Sequence, residues 1–127
     1  MHPRILVTYL IWFCIFMGFF IMLQFAGGGI NSLNFRAPIH SFALFPLGFL
    51  PPVISIFFRL KIFPKTETHP TFMSQFVISL ALCEMVGVLA MFVFPPQFVA
   101  ERTLAIIGSF IGITLLCPLK INIPTKD

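Results

Sequence analysis

Glu84 is the residue in this sequence best placed to do chemistry. It is a lone carboxyl near the middle of an apolar run, Phe72 to Phe94, which is 23 residues long. Such a run can cross a hydrocarbon layer about 30 Å thick. A carboxyl at that depth is expensive to charge, so it marks an ion site, a proton relay or a buried hydrogen bond. At helical spacing around it stand Ala81, Gly87, Val88 and Met91. The small residues among them let another helix approach closely.

The other reactive side chains form no constellation. Cys14, Cys83 and Cys117 all lie in apolar runs. Their odd number and their spacing fit no zinc or disulfide framework. They read as buried thiols behaving like small hydrophobes, with a Cys14–Cys83 metal or redox pair as the alternative. His2, His40 and His69 fall at run ends or in loops on different sides, so they cannot share a site. Catalysis needs a nucleophile, a base and an orienting group within mutual reach. Only Cys83 and Cys14 join Glu84 as candidates, and neither has a His or Asp at its depth. No enzyme, cofactor or metal is expected.

The elements that must position Glu84 follow from composition. The chain of 127 residues is 58% hydrophobic and 9% charged, with 18 Phe. Soluble domains carry roughly a quarter charged residues. The sequence therefore reads as an all-α integral membrane protein, a single domain over 1–127. Four spans are expected at about 5–25, 42–60, 72–94 and 97–117, arranged as two hairpins. A cleaved signal peptide is the rival for the first span, but its apolar core exceeds the usual length of about 7–15 residues. The loop at 26–41 opens with a glycine run that reads as a helix C-cap and turn, and lacks the Lys-Ser/Thr of a phosphate loop.

The second span contains Pro46, Pro51 and Pro52. Each proline removes a helix hydrogen bond and frees a carbonyl four residues back. A kink or break at Pro51–Pro52 is expected, with a re-entrant segment as the alternative. In the fourth span Gly108 and Gly112 form a G-x-x-x-G pattern, which lets helix backbones touch. Ala81, Gly87, Gly108 and Gly112 are thus the expected packing residues. Glu101 and Arg102 fall in the first turns of that span and are expected to be exposed.

Depth along each span can be counted at about 1.5 Å per residue. The level of Glu84 is then shared by Gly18, by Pro51–Pro52 and by Gly112 to Thr114. No Lys or Arg lies there. Without a counter-charge the carboxyl is expected to stay protonated and to donate to a freed carbonyl. The Thr114 hydroxyl or a trapped water would complete the site.

The net charge of +4 comes from basic residues placed between the apolar runs, so it reads as a topology signal rather than a nucleic-acid surface. Arg4, Arg59, Lys61, Lys65, Lys120 and Lys126 fall on one side, and Arg36 and Arg102 on the other. That imbalance puts both termini in the cytoplasm, and the expected home is a bacterial inner membrane.

A faint repeat relates 1–65 to 66–127. Cys14, Gly18, Met22 and Phe25 align with Cys83, Gly87, Met91 and Phe94 at a constant offset. Ile15 stands where the second half has Glu84. The segment Ala81-Leu82-Cys83-Glu84-Met85-Val86-Gly87 resembles the carboxylate helix of rotary ATPase c subunits, in which such a carboxyl binds the transported ion. The resemblance implies ion binding for Glu84 alone. The proline-containing second span departs from that family's glycine-repeat helix, and a further helix follows Glu84, so the chain is not assigned to it.

The expected role is structural or accessory, with Glu84 as a buried protonated donor. The alternative is proton or cation binding or translocation at Glu84 by a subunit or oligomer. Expected partners are the lipid bilayer and either a homo-oligomer or a larger membrane complex, without nucleic acid.

Overall fold

The computed structural model describes residues 3–25, 28–29, 31, 33–34, 36, 38–39, 42–95, 97–118 and 123–124. His2, His40, Lys120 and Lys126, named above, lie outside them. The described regular structure is helical, without strands, and comprises four helices. They are α1 (Pro3–Phe25), α2 (Leu50–Phe57), α3 (His69–Phe92) and α4 (Val99–Leu115).

α2 is the α-helical part of a longer helical stretch, Phe45–Lys65. The stretch begins as a 3₁₀ helix, Phe45–Phe49, and becomes α-helical at Leu50. Pro51 and Pro52 follow at once, in a first turn whose N–H groups have no helical acceptor anyway. The prolines therefore mark a change of helix type. A second irregularity was not foreseen: Phe58–Ile62 is a π turn, followed by a short 3₁₀ turn at Phe63–Lys65.

α1, the stretch Phe45–Lys65 and α3 are each long and apolar enough to cross a membrane. α4 has 17 residues, fewer than the expected 97–117. Phe98 and Leu116 leave helical backbone on either side of it, and Pro118 follows. At about 1.5 Å per residue it is roughly 25 Å long.

α4 is also the most enclosed helix. Nine of its 17 residues are buried, against four of 23 in α1. Small residues make this enclosure feasible. A Cβ at Gly108 would collide with the carbonyl oxygen of Gly48, and one at Gly112 would lie 2.8 Å from Pro51 Cβ. The expected glycine stripe is thus a packing surface, and what packs on it is the 3₁₀–α junction. The Gly48 carbonyl is available for this contact for a covalent reason. Its helical donors would be Pro51 or Pro52, which have no N–H. It abuts the Gly108 backbone instead, a close approach of the Cα–H···O kind.

α1 docks through aromatic rings. Phe110 of α4 meets the edges of Phe19 and Phe16 at centroid distances of 4.7 and 5.8 Å. Such pairs add about 0.5–1.5 kcal/mol beyond area burial. α1 ends as the glycine run implied. Gly28 and Gly29 take left-handed φ of 90° and 79°, and Gly29 N–H donates to Leu23 O at 2.7 Å. The sequence repeat does not correspond to matched surroundings. Cys14 is exposed and Cys83 buried, while Gly18 stands in open space and Gly87 is tightly packed.

Candidate functional site

The buried stripe of α3 runs through Phe76, Leu80, Cys83, Gly87 and Ala90. At about 100° per residue, Glu84 stands roughly a quarter turn from its centre. The carboxyl is half-buried and borders a shallow open hollow with Ala81, Met85, Val88 and Leu89. It makes no hydrogen bond with a described residue. The structure does not bring Glu84 and Thr114 together. Thr114 is exposed and donates to the Phe110 carbonyl of its own helix at 2.8 Å.

The packing residues divide in the same way. Gly87 is buried, and a Cβ there would meet Phe19 and, at 2.8 Å, Ser109 Oγ. Ala81 is exposed on the outer side, because it and Gly87 lie about 120° apart around the helix. Both are small, but only one faces a neighbour.

Cys83, next to Glu84, reaches the proline junction. Its Sγ lies 3.3 Å from Ser55 Oγ and 3.5 Å from the Pro51 carbonyl. Ser55 is fully buried, and its hydroxyl is shared between Gly112 O at 2.6 Å and Pro51 O at 2.9 Å. The depth expected for a buried polar site therefore holds one, with Ser55 and Cys83 in place of the carboxyl.

Ser55 is part of a larger arrangement. A helix leaves its last four carbonyls without helical donors. At the C-terminal end of α4 the Leu116 N–H is shared between Gly112 O and Ile113 O, at 3.2 Å each, and other helices add donors. Ser55 Oγ serves Gly112 O, and Trp12 Nε1 serves Ile113 O at 2.6 Å. Arg59 Nη1 donates to Leu115 O, and Arg59 Nη2 to Cys117 O at 3.0 Å. Cys117 N–H closes back on Thr114 O at 3.0 Å. A buried carbonyl left unmet carries a desolvation penalty of about 1–3 kcal/mol, so this socket lets a short helix end inside the bundle.

No protein-family model, curated protein or solved structure matches this chain. The side chains alone carry the functional reading.

Two further polar residues correct the sequence reading. Glu101, expected in an exposed turn, is fully buried, and Arg102 is half-buried. The 3₁₀ segment Phe45–Phe49 packs on α4, and Asn34 N–H donates to Thr103 Oγ1 at 2.8 Å. The signal was present in the spacing. Glu101, Ala105, Gly108 and Gly112 recur at helical intervals and share one face. Its position in the first turn also places a carboxyl at the N-terminal end of the helix dipole. His69 is buried beside the start of α1, with Nε2 3.3 Å from the Arg4 carbonyl. Among the described residues no group of three or more His, Cys, Asp or Glu side chains could hold a metal ion.

Proposed function

We propose that this chain is a small multi-pass membrane protein with a structural or accessory role, and that it joins a second membrane chain through the Glu84 face of α3. One contrast carries the reading. Ser55, Trp12 and Arg59 all donate to the C-terminal end of α4, whereas Glu84 borders an open hollow on the outer side of its helix. A carboxyl facing lipid is relieved when a neighbouring helix supplies a hydrogen-bond partner. The neighbour is a second copy or a member of a larger membrane complex.

Four crossings as two hairpins, with both termini cytoplasmic, belong to the same proposal. Two bonds support it. Arg59 joins the end of the second helical stretch to the end of α4, and His69 joins the start of α3 to the start of α1. The basic side is then the side of both termini, as in a bacterial inner membrane. A reporter fused after Asp127 is expected to be active in the cytoplasm; activity on the far side overturns this topology.

The test of the docking face uses native gel electrophoresis of mild-detergent extracts. Glu84→Leu is expected to shift the chain from a complex toward monomer, with dissociation roughly fivefold easier for one intramembrane hydrogen bond of about 1 kcal/mol. Glu84→Gln is expected to keep the complex, since an amide still bonds. Both variants should melt like the parent as monomers. An unchanged complex in Glu84→Leu sinks the docking reading.

A proton or cation site at Glu84 is the second reading, favoured by the same half-open hollow around a lone carboxyl. It requires that Glu84→Gln preserve the complex but abolish a carbodiimide-sensitive ion flux in vesicles.

A further inference from the structure

We propose that the second helical stretch carries a binding site for one anionic phospholipid, with its phosphate at Lys61 and Lys65 and an acyl chain along Val53, Ile56, Phe57 and Leu60. Two adjoining hollows carry the inference. The first is open, about 460 Å³, and is bordered by Lys61, Lys65, Thr66, Thr68 and Thr71, with Glu67 also on its rim. The second is about 310 Å³ and is bordered by Val53, Ile56, Phe57, Leu60 and Lys61. Lys61 belongs to both.

The apolar hollow is a continuous helix face. Positions 53, 56, 57 and 60 fall at three- and four-residue steps. All four side chains are exposed, Val53 by 59% and Leu60 by 66%. The bundle packs the opposite face, where Pro51 and Ser55 are buried. A cationic hollow joined end-on to an apolar groove has the form of an amphiphile with an anionic head.

The polar end suits a phosphodiester. Lys61 and Lys65 are exposed, and their alkyl stems can lie along apolar surface while the ammonium groups reach the headgroup layer. Thr71 accepts a hydrogen bond from Thr68 at 2.9 Å and keeps its own hydroxyl proton for a phosphate oxygen. Glu67 offsets one of the two positive charges. A singly charged phosphodiester therefore fits better than a polyanionic head. The groove selects a lipid over free phosphate, and the lysines select an anionic over a zwitterionic lipid.

This site rests on the membrane reading above. The test begins with carbonate extraction of membranes holding the full chain. Release of the chain overturns the membrane reading and the lipid site with it; retention leaves the site to be decided alone. The chain is then placed in phosphatidylcholine nanodiscs containing phosphatidylglycerol, and lipid retained after release is counted by native mass spectrometry.

One retained phosphatidylglycerol per chain is expected. Lys61→Gln with Lys65→Gln should weaken its retention roughly 10- to 30-fold, at about a fivefold loss per lysine. Ile56→Ser with Leu60→Ser should also weaken it, while Arg36→Gln, outside the site, should not. Equal retention of the two lipids, or unchanged retention in the lysine variant, overturns the site. Competition by millimolar inorganic phosphate, with no effect of the groove variant, would reduce it to a phosphate site and overturn the lipid assignment.

Discussion

Replacing Gly108 by alanine is expected to destabilise the protein by about 1–3 kcal/mol or more, the range for an added group that a packed interior cannot absorb. The obstacle is backbone. The new methyl group would collide with the Gly48 carbonyl oxygen and stand 2.9 Å from the Gly48 carbonyl carbon. No rotamer change relieves that contact; the junction before Pro51 must move away from α4. Alanine is the better helix former by about 1 kcal/mol, so propensity alone predicts the opposite sign. Gly18→Ala isolates that term, because nothing lies within 4 Å of a Cβ there. It should stabilise α1 by up to about 1 kcal/mol. Thermal unfolding of the purified variants in detergent, followed by circular dichroism, reads both. Equal melting of Gly108→Ala and the parent would mean that α4 does not rest on the Gly48 carbonyl.

Arg59→Leu is the second large effect. Hydrogen bonds to a charged group contribute about 1.5–3 kcal/mol each, and leaving a buried acceptor unmet adds its desolvation penalty. Arg59 serves Leu115 O and Cys117 O together, so the substitution is expected to cost about 3 kcal/mol. Leucine preserves most of the apolar bulk, which separates the lost donors from lost packing. Lysine cannot match the fork of the guanidinium and should recover only part of the loss. Ser55→Ala, which removes one neutral hydroxyl shared between two carbonyls, should cost nearer 1 kcal/mol. A second readout is local. Cys117 is half-buried beside this cap, and in Arg59→Leu it should react faster with a maleimide. Unchanged melting and unchanged thiol reactivity would show that the cap contributes nothing.

These expectations also show which parts of the structure were legible in the sequence. Depth was legible. The level of Glu84 was inferred by counting residues, and a polar cluster with Ser55, Cys83, Pro51 and Gly112 occupies that level. Direction around the helix was not. α3 is apolar on nearly every side, so the sequence offers no polar stripe to mark the outside. Small residues were the remaining cue, and Ala81 and Gly87 point different ways. In α4 the cue was better, because Glu101, Ala105, Gly108 and Gly112 share a face; the exposed reading of Glu101 gave its place in a first turn more weight than that spacing.

Arg59 was legible as a basic flank but not as a cap. It lies in the π turn at Phe58–Ile62, and nothing in the residue pattern announces an extra residue in a turn. Trp12 stands near the start of its apolar run, the place of an interfacial aromatic. Its Nε1–H donates to Ile113 O, a pairing of residues far apart in the chain.

The socket at the end of α4 also has an order in time. Trp12, Ser55 and Arg59 leave the ribosome first, as donors whose partners on α4 do not yet exist. Gly112, Ile113, Leu115 and Cys117 emerge later and complete three side chains on two earlier helical elements. The innermost helix, α4, is thus made after the three helices that enclose it. In a nascent chain halted before Val99, Gly48, Pro51 and Ser55 have yet to meet the glycines of α4 that pack on them.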